Sequence, residues 1–182
     1  MLRPSSKRLR LPLLFFTALV FPCQSLAKED GKPVVTKELT RAGGKVTLEY
    51  PGIWNSKNPR FRILEHEFLV KKVGDDRNDG RLTMMRSDGS IKANIDRWIG
   101  QFSQPDGSAT SDVAKVKEKE VNGQKVWMVD IAGTFAESIG PPIARKSVQR
   151  EGYRMLGAIV QTKAAGKYFF KLYGPKATIA SA

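Results

Sequence analysis

The chain has 182 residues, with 31 lysines and arginines against 18 acids, a formal charge of +13, one cysteine and one histidine. That inventory excludes a disulfide framework, a thiolate cluster and a multi-histidine metal centre, and it confines any Ser-His-Asp or Cys-His catalysis to arrangements built on His66. Positive charge draws a protein toward anionic partners, but these cations are scattered, with no aromatic-and-basic motif of a nucleic-acid module, so no nucleic-acid partner is expected.

Residues 1–27 read as an export signal. Arg3, Lys7, Arg8 and Arg10 stand without an acid, an apolar run covers 11–21, and Ser25-Leu26-Ala27 supplies the small residues at a cleavage site. Cleavage starts the mature chain at Lys28, removes Cys23 and leaves 155 residues with 27 basic and 18 acidic groups, a charge of +9. The apolar run is short of the roughly twenty residues that span a bilayer. The expected product is therefore soluble, periplasmic or extracellular, with no transmembrane helix. A lipid-modified Cys23 is the competing reading, which the preceding Val20-Phe21-Pro22 fits badly. The division that follows is a signal peptide at 1–27, a flexible arm at 28–44 and a single domain at 45–182.

Residues 28–40 are polar, with at most a short strand, and Ala42-Gly43-Gly44 marks a turn. Strict alternation over 45–50 predicts a half-buried strand, and 61–72 and 81–86 predict a hairpin around the acidic loop 74–80. In 90–103, Ile91, Ile95, Trp98, Ile99 and Phe102 share one stripe of a helix capped by Ser90 and stopped by Pro105-Asp106-Gly107. Asn122-Gly123 joins a charged edge strand, 115–121, to a more buried one, 124–131. Residues 133–150 contain Gly140-Pro141-Pro142 and read as a long connection, after which 152–162 and 167–173 are apolar strands.

Few residues suggest chemistry. The run Asp75-Asp76-Arg77-Asn78-Asp79-Gly80 resembles a calcium loop, but Arg77 and Arg86 stand where oxygen ligands belong, so a solvated hairpin tip is favoured. Glu65-His66-Glu67 does not converge on a strand, where neighbours face opposite sides, and His66 reads as a partly buried, hydrogen-bonded side chain. The aromatic residues of patterned elements belong to the core. Trp54, in a polar loop, is the exception and a candidate contact residue, or else a plug at the end of the core. With it, Arg60, Arg77, Arg145, Lys146 and Arg150 in the loops 54–60, 74–80 and 136–150 form the candidate contact surface.

The stretch from Gly89-Ser90-Ile91 through Arg97-Trp98-Ile99-Gly100 to Pro105-Asp106-Gly107 resembles a family of uncharacterised exported bacterial proteins. Val121-Asn122-Gly123, then Gly152-Tyr153-Arg154-Met155-Leu156-Gly157, then Tyr168-Phe169-Phe170-Lys171-Leu172-Tyr173-Gly174-Pro175 continue the resemblance over most of 45–178. That family is similar to the PsbP-like group, which includes a photosystem extrinsic subunit and a Ran-binding nuclear import factor. The resemblance implies an α+β fold, an antiparallel sheet packed against an amphipathic helix in a PsbP-like sandwich, and a non-enzymatic accessory or binding role without a cofactor or catalytic residues. Relatives continue into a terminal helix, whereas 176–182 makes no more than two turns. A shortened C-terminal helix implies an uncovered sheet face, an exposed apolar patch and self-association through it.

The leading expectation is an exported, cofactor-free protein that binds an unknown protein or envelope component. Two alternatives remain beside it: adhesion to anionic envelope polymers through the basic surface, and a hydrolase using an acidic residue or His66.

Overall fold

Strands that alternate large apolar side chains on both faces need cover on both, and here two separate layers supply it. The structure, a computed structural model, describes residues 9–12, 36–41, 46–139, 146–163 and 165–182. The strands are β1 (Leu9–Pro12), β2 (Thr36–Arg41), β3 (Val46–Pro51), β4 (Asn55–Lys57), β5 (His66–Val70), β6 (Gly80–Arg86), β7 (Phe102–Ser103), β8 (Lys115–Val121), β9 (Gln124–Ile139), β10 (Lys146–Thr162) and β11 (Gly166–Pro175). The helices are α1 (Ile91–Ile99), α2 (Thr110–Val113) and α3 (Lys176–Ala180).

The large sheet runs β4-β5-β6-β11-β10-β9-β7, with β8 also paired to β9, and every pairing in it is antiparallel. A small sheet, β1-β3-β2, joins β3 to β2 antiparallel and to β1 parallel. β1 lies inside the segment expected to be removed on export. Cleavage after Ala27 would detach it from the edge of β3.

One face of the large sheet buries Phe68, Leu82, Met84, Val126, Leu156, Val160, Phe170 and Leu172. The small sheet covers it through Leu48 and Tyr50, whose ring lies 4.5 Å from Phe68, and α3 adds Ile179. The opposite face buries Val129, Ile131, Met155, Ile159 and Phe169 beneath Ile95 and Trp98 of α1. This is an α+β fold dominated by its sheet.

The helix starts where its cap predicts. Ser90 is extended and its hydroxyl accepts from the Ala93 amide at 3.4 Å. It ends earlier than its apolar stripe, because Phe102 leaves the helix to pair with Phe135 as β7. The Asn122-Gly123 turn has φ of 50° and 73°, as a two-residue hairpin requires, and β8 is exposed along nearly its whole length.

Several expectations are corrected. Only His66–Val70 of 61–72 is strand, and β4 and α2 were not anticipated. Residues 133–139 and 146–150, expected to lie in a connection, are the ends of a long β9–β10 hairpin, paired from Ile139↔Lys146 to Phe135↔Arg150 and interrupted by a bulge before Tyr153. Among the described residues the expected uncovered face is not found: Ile179 is 2% exposed and Leu172 fully buried, so no apolar patch is seen at that position. Asp76 holds α3 there, its carboxylate accepting from the Thr178 amide at 2.9 Å and hydroxyl at 2.5 Å. The facing Gly80 and Gly174 leave room for Ile179, since a Cβ on Gly80 would stand 3.0 Å from its Cδ1. The 42–44 turn, Cys23 and residues 140–145 lie outside the described residues.

Gly157 admits the closest helix–sheet contact, because a Cβ there would stand 2.5 Å from the Trp98 ring. Gly157→Ala is expected to lower stability by about 1–3 kcal/mol through overpacking. An unchanged urea midpoint would contradict this packing.

Candidate functional site

The helix-side face changes character toward one end of the sheet. β5, β6 and β11 present Glu67, Arg81 and Tyr173 there, and the bulged β9–β10 hairpin brings Glu137, Arg150 and Tyr153 opposite them. Between these groups lies an open cleft of about 340 Å³, also lined by Arg60, Asn78 and Asp79.

Its foundation is an ion pair. Arg81 Nε and Nη2 donate to the two oxygens of Glu67 at 2.7 and 2.9 Å, and Nη1 donates to the Tyr173 hydroxyl at 2.6 Å. The Arg60 amide adds a bond to Glu67 at 3.1 Å. Glu67 is 2% exposed, and burial disfavours its charge, but the hydrogen bonds from Arg81 and Arg60 with their positive charges outweigh it and hold the carboxyl below its ordinary range. Burial likewise opposes the charge on Arg81, yet its bonds to Glu67 and Tyr173 raise its affinity for the proton. On the other wall, Arg150 Nε donates to Glu137 at 2.9 Å. Burial raises the pKa values of Tyr153 and Tyr173, so both keep their protons.

Beneath the cleft, Phe135 packs on Tyr173 and Phe102, each with centroids 5.0 Å away. Lys171 lies beside this cluster, its Nζ 4.7 Å from the Phe135 centroid and 5.2 Å from that of Tyr173, donating to Gln101 Oε1. Burial, reinforced by the charges of Arg97 and Arg81 and opposed by Glu137, pushes its pKa down to about 7. A second cavity of about 170 Å³ opens onto Lys171 between α1 and the sheet.

The three segments expected to form a contact surface do meet here: Arg60 comes from the first, Asn78 and Asp79 from the second, Glu137 and Arg150 from the third. Arg77 and Lys146 are exposed but do not line the cleft, and Arg145 lies outside the described residues. Trp54 is corrected. It is 4% exposed and packs edge-on against Phe68 at 6.0 Å, the plug at the end of the core that is its other reading. His66 faces the other side of the sheet, within 3.1 Å of Ser56 Oγ. In the 75–80 loop, Asp79 accepts from the Lys72 amide and Asp76 holds α3. Sequence reasoning weighed Glu67 only beside His66 and set it aside, and it missed Arg81, Tyr173 and Lys171, although an ionic residue within the run Tyr168-Phe169-Phe170-Lys171-Leu172-Tyr173 was a readable signal.

Glu67→Gln leaves Arg81 buried against a neutral partner and is expected to cost about 3–5 kcal/mol in chemical denaturation. Lys171 gives a pH signature. Between about 7 and its unperturbed 10.5 the unfolded chain holds a proton that the folded chain lacks, so stability rises with pH across that window. Tyr173, whose pKa is raised, opposes this only above about 10. Lys171→Met should flatten the rise, by up to about 1.4 kcal/mol per pH unit. Identical pH profiles for the two proteins would refute the assignment.

No family model matches the chain, and no curated protein sequence matches it. Among solved structures the chain is similar to the solution structure of cyanobacterial PsbP (CyanoP) from Synechocystis sp. PCC 6803, with 11% sequence identity, a TM-score of 0.45, and coverage of 86% of this chain and 89% of that one.

Proposed function

We propose that this is an exported, non-catalytic binding protein whose cleft receives an acidic group of a protein or envelope component. The observation that carries the reading is the convergence of Arg60, Arg81 and Arg150 from distant segments on one cleft with two tyrosines, against the two carboxylates Asp79 and Glu137. Arg81 is committed to Glu67; Arg60, whose side chain is 63% exposed at the rim, has its Nε 3.7 Å from the same carboxylate, and Arg150, 34% exposed, gives its Nε to Glu137. The remaining guanidinium N–H groups of these two supply the donors for an incoming carboxylate or phosphate, and the tyrosine hydroxyls supply neutral ones. Export, with the periplasm or medium as destination, belongs to the same proposal and rests on the signal-like 1–27 segment. Hydrolysis is the weaker reading: Glu67 is held ionised by two arginines, and His66 lies on the opposite face.

Adhesion through the basic surface has its own support, because Lys115, Lys117 and Lys119 occupy one side of the exposed edge strand β8. The two readings separate by mutation. Titration calorimetry of the full chain with inorganic phosphate and with citrate should give one site, weakened about tenfold or more by Arg60→Ala at an unchanged melting temperature. Binding indifferent to Arg60→Ala but abolished by physiological salt would replace the cleft with the general basic surface.

A further inference from the structure

Lys171 is not needed for the cleft chemistry, and its setting is unusual for a surface-sheet lysine. It stands on β11 at the position that pairs with Gly157 on one side and Thr83 on the other. Because residue 157 has no side chain, the Trp98 ring settles against the backbone beside it, and the space left next to the ring is the cavity of about 170 Å³. Thr83, Trp98, Gln101 and Phe169 form its walls and Arg97, exposed on α1, stands at its mouth. Lys171 is half-buried and lines this cavity.

We propose that this cavity is a covalent site for a small 2-oxo acid, with Lys171 Nζ as the nucleophile and Arg97 holding the carboxylate. The Gln101 carbonyl oxygen takes one N–H of the amine and so orients Nζ. A neutral amine keeps a lone pair for attack, and burial beside the Arg97 and Arg81 guanidinium groups, opposed by the Glu137 carboxylate, lowers the amine's proton affinity so that a neutral fraction is present near pH 7. The lone pair adds to the carbonyl carbon as the C=O π pair moves to oxygen. The carbinolamine then loses that oxygen together with both amine hydrogens as one water, leaving a C=N bond to Nζ, and hydrolysis reverses the step. The volume suits a molecule of a few heavy atoms, and the single cation at the mouth suits one carboxylate. This site lies apart from the arginine cleft and does not depend on the cleft's function.

The test is reductive trapping on the intact full chain. The folded protein is incubated with pyruvate and cyanoborohydride across a pH series, and labelled lysines are located by peptide mass spectrometry. Lys171 is expected to label first, with a rate that reaches half its maximum near pH 7, whereas exposed lysines respond only toward about 10.4. Labelling of Lys171 no faster than that of exposed lysines such as Lys92 overturns the proposal. For Arg97, the informative quantity is the ratio of the pyruvate rate to the propanal rate at Lys171, in which the ionisation of the amine cancels. Arg97→Gln should lower that ratio about tenfold. An unchanged ratio removes Arg97 as the carboxylate holder and with it the preference for 2-oxo acids. Lys171→Arg serves as the unlabelled control, and because the mapping is done on the unmodified sequence, a misfolded control leaves the test intact.

Discussion

The contact between the Trp98 indole and the bare backbone at Gly157 sets the position of everything on the helix-side face. Because a Cβ at residue 157 would collide with the ring, the missing side chain lets the indole lie against the sheet backbone there. That contact draws α1 across β10 and β11 and buries Ile95 with Ile159 and Phe169 in one cluster. The helix is only nine residues long, so it covers part of the face and stops. Where it stops, the sheet must satisfy itself by other means, and the cavity beside Lys171 lies at that boundary.

The uncovered end solves its solvation problem with paired charges and aromatic rings. Glu67 and Arg81 enter a region of low polarity together, where either alone would carry a large desolvation cost. Tyr173 links this pair to the aromatic cluster, accepting from Arg81 through its hydroxyl and packing its ring on Phe135. Bidentate geometry makes the pair rigid, which fixes the wall against which Arg60 and Arg150 stand. Lys171 has no carboxylate partner of this kind within the same cluster. Burial and the charges of Arg97 and Arg81, opposed by Glu137, lower its pKa to about 7, which distinguishes it chemically from the exposed lysines of β8.

Local patterns were readable to the extent that their cause was local. The Ser90 cap, the apolar stripe as far as Ile99 and the positive φ at Asn122 and Gly123 each arise within a few residues and are found where the pattern places them, whereas Phe102, the last residue of the expected stripe, pairs with Phe135 instead. Residues 133–150 failed for the complementary reason: glycine and the two prolines suggested a connection, but the segment's flanks become strands by hydrogen-bonding to each other. Trp54 sits in a polar stretch and yet is buried, because Phe68, from a strand more than ten residues away, supplies its cover. Arg60 and Arg150 were selected among six candidate contact residues on loop position alone. Nothing in the chain order indicated that they, and not Arg77 or Lys146, would share a cleft.

By itself the sequence determined the strand alternation, the capped amphipathic helix, the tight hairpin and the restriction to chemistry without a disulfide or clustered imidazoles, because those follow from spacing, backbone preference and the residue types present. Only the tertiary structure decided that Glu67 meets Arg81, that Arg60 faces Arg150, that Ile179 and the small sheet close the second face, and that Lys171 is enclosed beside Trp98. Each of these depends on register between strands far apart in the chain and on how deeply one helix settles, and that depth is set by an absent side chain whose effect appears only when its partner arrives.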